Sequence, residues 1–141
     1  MPNKQTITVE TSIQAPVERV WEIWNEPEHI VRWCHASDDW EAPTAENDLR
    51  VGGTFRTVMA ARDGSARFDF AGTYARVTPH REIDYVMADG RRVSVRFETV
   101  GSATKIAETF DPESENPLEM QRAGWQAILD NFARYAEKAA K

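Results

Sequence analysis

Residues 116–138 read NPLEMQRAGWQAILDNFARYAEK. Asn116 followed three positions later by Glu119 has the form of a capping box, with Pro117 suited to the first helical position. Leu118, Trp125, Ile128, Leu129, Phe132 and Tyr135 fall on one apolar face, which predicts an amphipathic helix. At 1.5 Å per residue such a helix is roughly 35 Å long, enough to cross a small sheet completely. Gly124 stands in the middle of it, directly before Trp125. A mid-helix glycine costs about 1 kcal/mol relative to alanine. Three causes can hold it there: close approach of a strand, space kept for a ligand beside Trp125, or an exposed position where the cost is tolerated.

Upstream, the sequence supplies a sheet for that helix to cover. Asp63-Gly64 and Asp89-Gly90 are strong two-residue hairpin signals, because both turn positions favour positive φ. They predict antiparallel strands near 53–61, 66–77, 82–88, 91–100 and 104–111. Residues 6–13, TITVETSI, alternate to give a first strand through Ile7, Val9 and Ile13. Ala15-Pro16 then opens a short helix with Val17, Val20, Trp21 and Trp24 on one stripe, and EPEHIVRWC reads as a second short helix after the break at Pro27. The polar stretch 35–48, with Pro43, reads as a long surface loop anchored by Trp40. Gly52-Gly53 reads as a bend entering the sheet. The order predicts a single α+β domain over residues 1–141, a curved antiparallel sheet wrapped around a long C-terminal helix.

Composition narrows the function classes. The 141 residues, 41% apolar with a net charge of −6, suit one globular domain of roughly 14 Å radius of gyration. Scattered basic residues leave no phosphate footprint, so no nucleic-acid partner is expected. There is no secretory h-region and no apolar run long enough to span a membrane. The lone Cys34 fits a reducing compartment, and the expected location is cytoplasmic. His29, His35 and His80 share no metal-ligand spacing. No nucleophile elbow, phosphate loop or dinucleotide fingerprint is present, so no metal and no cofactor are expected.

The stretches DLRVGGTF (48–55), ARDG, FAGTYARVTPHREIDYV (70–86) and GWQAILDNF, taken in order, resemble the helix-grip proteins of the START-like superfamily. Within it they are most similar to the family named after the C-terminal domain of the activator of the heat-shock protein 90 ATPase. The likeness runs from the first strand to the final helix. It implies a cavity between sheet and long helix that holds apolar or aromatic molecules, and it leaves the occupant open. A chaperone-ATPase interaction module is the second possibility it implies, and a cyclase- or hydrolase-type enzyme the third.

Strand parity selects the side chains that face the helix. Phe68, Phe70, Gly72 and Tyr74 share one face, as do Ile83, Tyr85 and Met87, and Val93, Val95 and Phe97. Glu108 shares parity with Ile106 and Phe110 and should point inward, where an isolated carboxylate is costly and has its pKa raised. It can pair with an inward arginine, serve a ligand as a polar handle, or reach water at the sheet's end; in an enzyme it would be the acid or base. Trp21 and Trp24 read as structural. Trp33 and Trp40 lie where the family's cavity entrance would be, and either gate it or pin the loop. Candidate ligand-binding residues are therefore Trp33 and Trp40, then Phe55, Phe68, Phe70, Tyr74, Tyr85 and Phe97 from the sheet, Glu108, and Gly124, Trp125 and Ile128 from the helix.

Overall fold

Alternation makes the framework. Ile7, Val9 and Ile13 are buried while Thr8 and Glu10 face water, and the same two-residue period recurs in Val93, Val95 and Phe97 and in Ile106, Glu108 and Phe110. In the computed structural model, which describes residues 5–140, the elements are β1 (Ile7–Ile13), α1 (Val17–Asn25), α2 (Pro27–Trp33), β2 (Trp40–Asn47) and β3 (Thr54–Ala61). They continue with β4 (Arg67–Thr78), β5 (Glu82–Met87), β6 (Arg92–Val100), β7 (Ala103–Phe110) and α3 (Leu118–Ala139). The seven strands form one antiparallel sheet in the order β1-β7-β6-β5-β4-β3-β2. It curls as a half-barrel, with α3 packed along β1 and the two short helices closing one end.

The stretch 35–48 is not a loop throughout. Trp40–Asn47 pairs with β3 as an edge strand, Trp40 opposite Ala61 and Asn47 opposite Phe55, with an irregularity between Glu41 and Thr44. That irregularity falls at Pro43, which cannot donate to a ladder and is tolerated in a strand only at an edge or a bulge. Only Ala42 in this strand is buried, so it lacks the apolar alternation by which the other strands announce themselves.

Both Asp-Gly pairs do turn the chain, by a different geometry from the expected two-residue loop. Gly64 and Gly90 have φ of +81° and +91°, whereas among the described non-glycine residues only His80 has a positive φ. Each aspartate instead accepts a backbone N–H two residues on, from Ser65 (2.8 Å) and Arg91 (3.1 Å). These are Asx-type turns within longer hairpin loops.

Helix α3 is one continuous element through Gly124, as expected, but it starts without the capping box. The side chain of Asn116 donates to Glu113 (3.1 Å), and its own N–H donates to the same carboxylate (2.6 Å). Glu113 thus holds the groups that the box would use, and Pro117 occupies the cap position. Gln121 is buried in the first turn and fastens this segment: it accepts from the Glu113 N–H (2.8 Å) and donates to the carbonyls of Glu113 (3.0 Å) and Asn116 (2.8 Å). Leu118, expected on the apolar face, is exposed; Leu129, Phe132 and Ala136 make the buried stripe. Along β1 the helix covers a sheet edge. Arg122 and Gln126 donate to the carbonyls of Thr8 (3.2 Å) and Glu10 (2.9 Å), satisfying acceptors that would otherwise be open to another strand.

A cavity between the sheet and the closing helices

The concave face is not filled. A cavity of about 330 Å³ lies between the sheet, α2 and α3, within the range of roughly 300–1,000 Å³ common for small-molecule sites. The sheet contributes Phe55, Thr57, Met59, Phe68, Phe70, Tyr74, Ile83, Tyr85, Met87 and Glu108. Trp24 and Asn25 come from α1, Ile30 and Trp33 from α2, and Gln121, Trp125, Ile128 and Leu129 from α3. Nine of the twelve residues expected at the site on sequence grounds line it; Trp40, Phe97 and Gly124 do not.

The aromatic side chains interlock through one cluster. Phe55 lies 4.8 Å from Tyr85, edge to face, 5.4 Å from Tyr74 and 5.6 Å from Phe70 between ring centroids. Phe70 in turn meets Trp125 at 6.0 Å, and Trp125 stacks on Phe110. Such contacts hold rings in fixed orientations and add about 0.5–1.5 kcal/mol per pair beyond area burial. Gly72 makes the Phe55 position possible. A Cβ there would lie 2.8 Å from the Val86 carbonyl oxygen and 2.9 Å from Phe55 Cε1. The close approach considered for Gly124 occurs at Gly72 instead; a Cβ on Gly124 meets nothing within 4 Å.

The two missing aromatics have physical reasons. Phe97 points inward as parity requires, but it lies beneath α1, 5.2 Å from Trp21 and 5.8 Å from Trp24. Trp40 begins the edge strand, half-buried against the core, and meets Phe68 at 5.8 Å without lining the cavity. Phe68 is 49% exposed and sits at the mouth. Trp33 is pinned, not hinged: it is buried, its Nε1 donates to the Ile23 carbonyl (3.1 Å), and Phe132 crosses it edge to face at 4.8 Å. Trp24, read as purely structural, packs on Phe97, Trp33 and Phe132 and also lines the cavity.

Polar groups divide into satisfied and unsatisfied sets. Tyr74 donates to Asn47 (2.5 Å), Asn47 donates to the Asn25 carbonyl (2.7 Å), and Asn25 donates to the Trp21 carbonyl (2.9 Å). Arg91, the one basic side chain on the cavity wall among the described residues, is paired with Asp89 at 2.7 Å. Glu108 is different. It is 6% exposed, sits mid-strand opposite Val9 and Val95, and has no hydrogen bond or ion pair to any described residue. Of the three possibilities for it, pairing with an arginine is not realised among those residues, and it does not lie at the sheet's end. Burial without a partner pushes its carboxyl up to about 8. Burial, with added repulsion from Glu108, also pushes the Cys34 thiol up to about 12 and holds the Tyr85 hydroxyl well above its ordinary value.

Outside the cavity, Glu22, Glu26 and His29 bring possible ligand atoms within 4.8 Å of one another. Sequence spacing missed this grouping because it spans the break between α1 and α2. His29 already shares a 2.7 Å hydrogen bond with the Tyr135 hydroxyl.

A curled antiparallel sheet gripping a long C-terminal helix over an apolar cavity defines the class: a START-like helix-grip protein. Residues 14–137 match the family described as activator of Hsp90 ATPase homolog 1-like protein, and the chain belongs to that family. The solution structure of a protein of that type from Aeromonas hydrophila is 47% identical, with a TM-score of 0.90 over 96% of this chain and 94% of the other. A Cytophaga hutchinsonii protein is 51% identical, with a TM-score of 0.82 over 95% and 93%. A Nitrosomonas europaea protein, 19% identical with a TM-score of 0.83 over 99% and 98%, shares the fold. No curated protein matches the chain.

Proposed function

We propose that this protein binds a small apolar or aromatic molecule in the cavity between sheet and α3. The observation that carries this is a space of about 330 Å³ between sheet and helix, walled by Phe55, Phe70, Tyr85 and Trp125. Unfilled apolar space forfeits dispersion contacts and costs stability, so a fold that keeps it has a use for it. Proteins of the START-like class commonly bind hydrophobic ligands, which supports the same reading. A single buried thiol, Cys34, supports residence in the cytoplasm.

An NMR shift screen against fatty acids, flavonoids and polyketide-like aromatics tests this. Binding should move the resonances of Trp125, Phe55 and Tyr85 together. A screen in which only exposed side chains respond would overturn the cavity as the binding site.

Family membership favours a second reading, an interaction with an Hsp90-type chaperone. Stimulation of such a chaperone's ATPase by the purified protein, retained when Trp125→Ala has disabled the cavity, would favour that reading over the first.

A further inference from the structure

Among the polar side chains on the cavity wall with no hydrogen bond to any described residue are Glu108 and Tyr85; the hydroxyl of Thr57, on β3, is another. Glu108 from β7 and Tyr85 from β5 both face the concave side. They stand on neighbouring rows: Tyr85 is opposite Val93 and Glu108 opposite Val95, with β6 between them. A polar group held in an apolar wall without a partner is costly. Resting on the ligand-binding reading above, we propose that Glu108 and Tyr85 together receive the carbonyl oxygen of an aryl ketone whose ring lies among Phe55, Phe70 and Trp125.

Charge and donor counts select a carbonyl over an amine. Cys34 after α2 and Tyr85 from β5 lie close enough to feel the charge of Glu108, Val9 from β1 and Val95 from β6 stand opposite it, and Trp125, Ile128 and Leu129 form the α3 wall of the same cavity. Tyr74 and Arg91 act on Tyr85 from farther round the wall, and Glu113 completes the acidic lining. No cation faces Glu108 among the described residues, and burial keeps its carboxyl protonated at neutral pH. A protonated carboxyl is a donor, and Tyr85 with its raised pKa is a second. A carbonyl oxygen has two lone pairs and is satisfied by both. An ammonium would need three acceptors, and its desolvation is uncompensated unless all are supplied. A hydroxyl and a protonated carboxylic acid held in an apolar site form a known arrangement for carbonyl recognition.

Three near-isosteric probes decide it by calorimetry: acetylnaphthalene, ethylnaphthalene and naphthylethylamine. The ratio of ketone to hydrocarbon affinity should fall by about tenfold in Glu108→Leu relative to wild type, and several-fold in Tyr85→Phe. Glu108→Gln keeps a donor and should hold the ratio within about threefold of wild type. Ketone affinity in wild type should be flat up to about pH 7 and decline through about pH 8, where Glu108 loses its proton. In Glu108→Gln that decline should vanish.

A ratio unchanged by Glu108→Leu overturns the inference while leaving a ligand-binding cavity in place. An amine that binds tightest, with affinity rising as Glu108 ionises, also overturns it. If none of the three probes binds, the inference is overturned, while the broader cavity reading stands or falls with the fatty-acid and flavonoid screen.

Discussion

The indole of Trp125 lies flat on the ring of Phe110, with centroids 3.9 Å apart and planes 9° from parallel. Phe110 is fully buried at the end of β7, while Trp125 is half-buried on α3 and faces the cavity. One stack therefore both clamps the helix to the sheet and builds part of the cavity wall. Trp125→Ala should destabilise by about 3 kcal/mol, near the lower end of the range for truncating large aromatics, because the site is not fully buried. Urea unfolding measures this, and a loss under about 1 kcal/mol would show that the stack does not secure the helix.

The two glycines should respond to alanine in opposite directions. At Gly72 the new methyl meets a backbone carbonyl and the Phe55 ring, both within 3 Å. The carbonyl cannot yield without disturbing the β4–β5 ladder, so Gly72→Ala should destabilise by about 1–3 kcal/mol. At Gly124 the methyl meets open space, so Gly124→Ala should stabilise by up to about 1 kcal/mol. Thermal melts of the two variants check the pair. Equal effects of the same sign would contradict the packing described.

Stability should depend on pH through Glu108. Below its ordinary value of 4.5 the carboxyl is protonated in both folded and unfolded chains; between there and about 8 only the folded chain retains the proton. The unfolded state then binds fewer protons, so this group's contribution to stability falls as pH rises through that window and levels off above it. Glu108→Gln should remove the slope, gaining on the order of a few kcal/mol over wild type at pH 8 and little at pH 4. Denaturant titrations of both proteins across this window give the comparison; parallel curves would show that the carboxyl is wet.

Cys34 is buried, and its thiol is held near 12. Thiolate, the reactive form, is therefore scarce in the native state. Labelling by a maleimide at pH 8 should follow the opening rate of the fold and slow further when a cavity ligand is present. Labelling as fast as that of a free thiol would place the sulfur in open water.

Much of this arrangement was legible from residue order. Strand parity placed Phe70, Tyr74, Tyr85 and Glu108 on the cavity side, because a two-residue period leaves no other choice once the buried face is known. Parity cannot say how far along the concave face the space extends, so Phe97 was assigned to the cavity although α1 covers it. Thr57 and Met59 share the parity of Phe55 on β3 and were open to the same reading; Cys34 and Trp24 line the cavity through the placement of the short helices, which parity does not reach. The edge strand β2 stayed hidden because Pro43 and polar neighbours erase its alternation. Asn116 showed a capping box whose groups Glu113 takes first, a competition set by a side chain three residues upstream.

The sheet's pairing order also carries a time order. Five of the six ladders join strands consecutive in the chain, whereas β1 pairs with β7, setting Ile7 opposite Phe110. Closing that seam requires a loop of roughly a hundred residues, an entropic cost met before any contact rewards it. The meander from β2 to β7 can assemble hairpin by hairpin, with β1 and its two short helices joining late. Because α3 is tied to β1 through Arg122 and Gln126, loosening the seam also lifts the lid. Amide exchange should then report β1 and α3 as one cooperative unit, opening more often than β5 and β6.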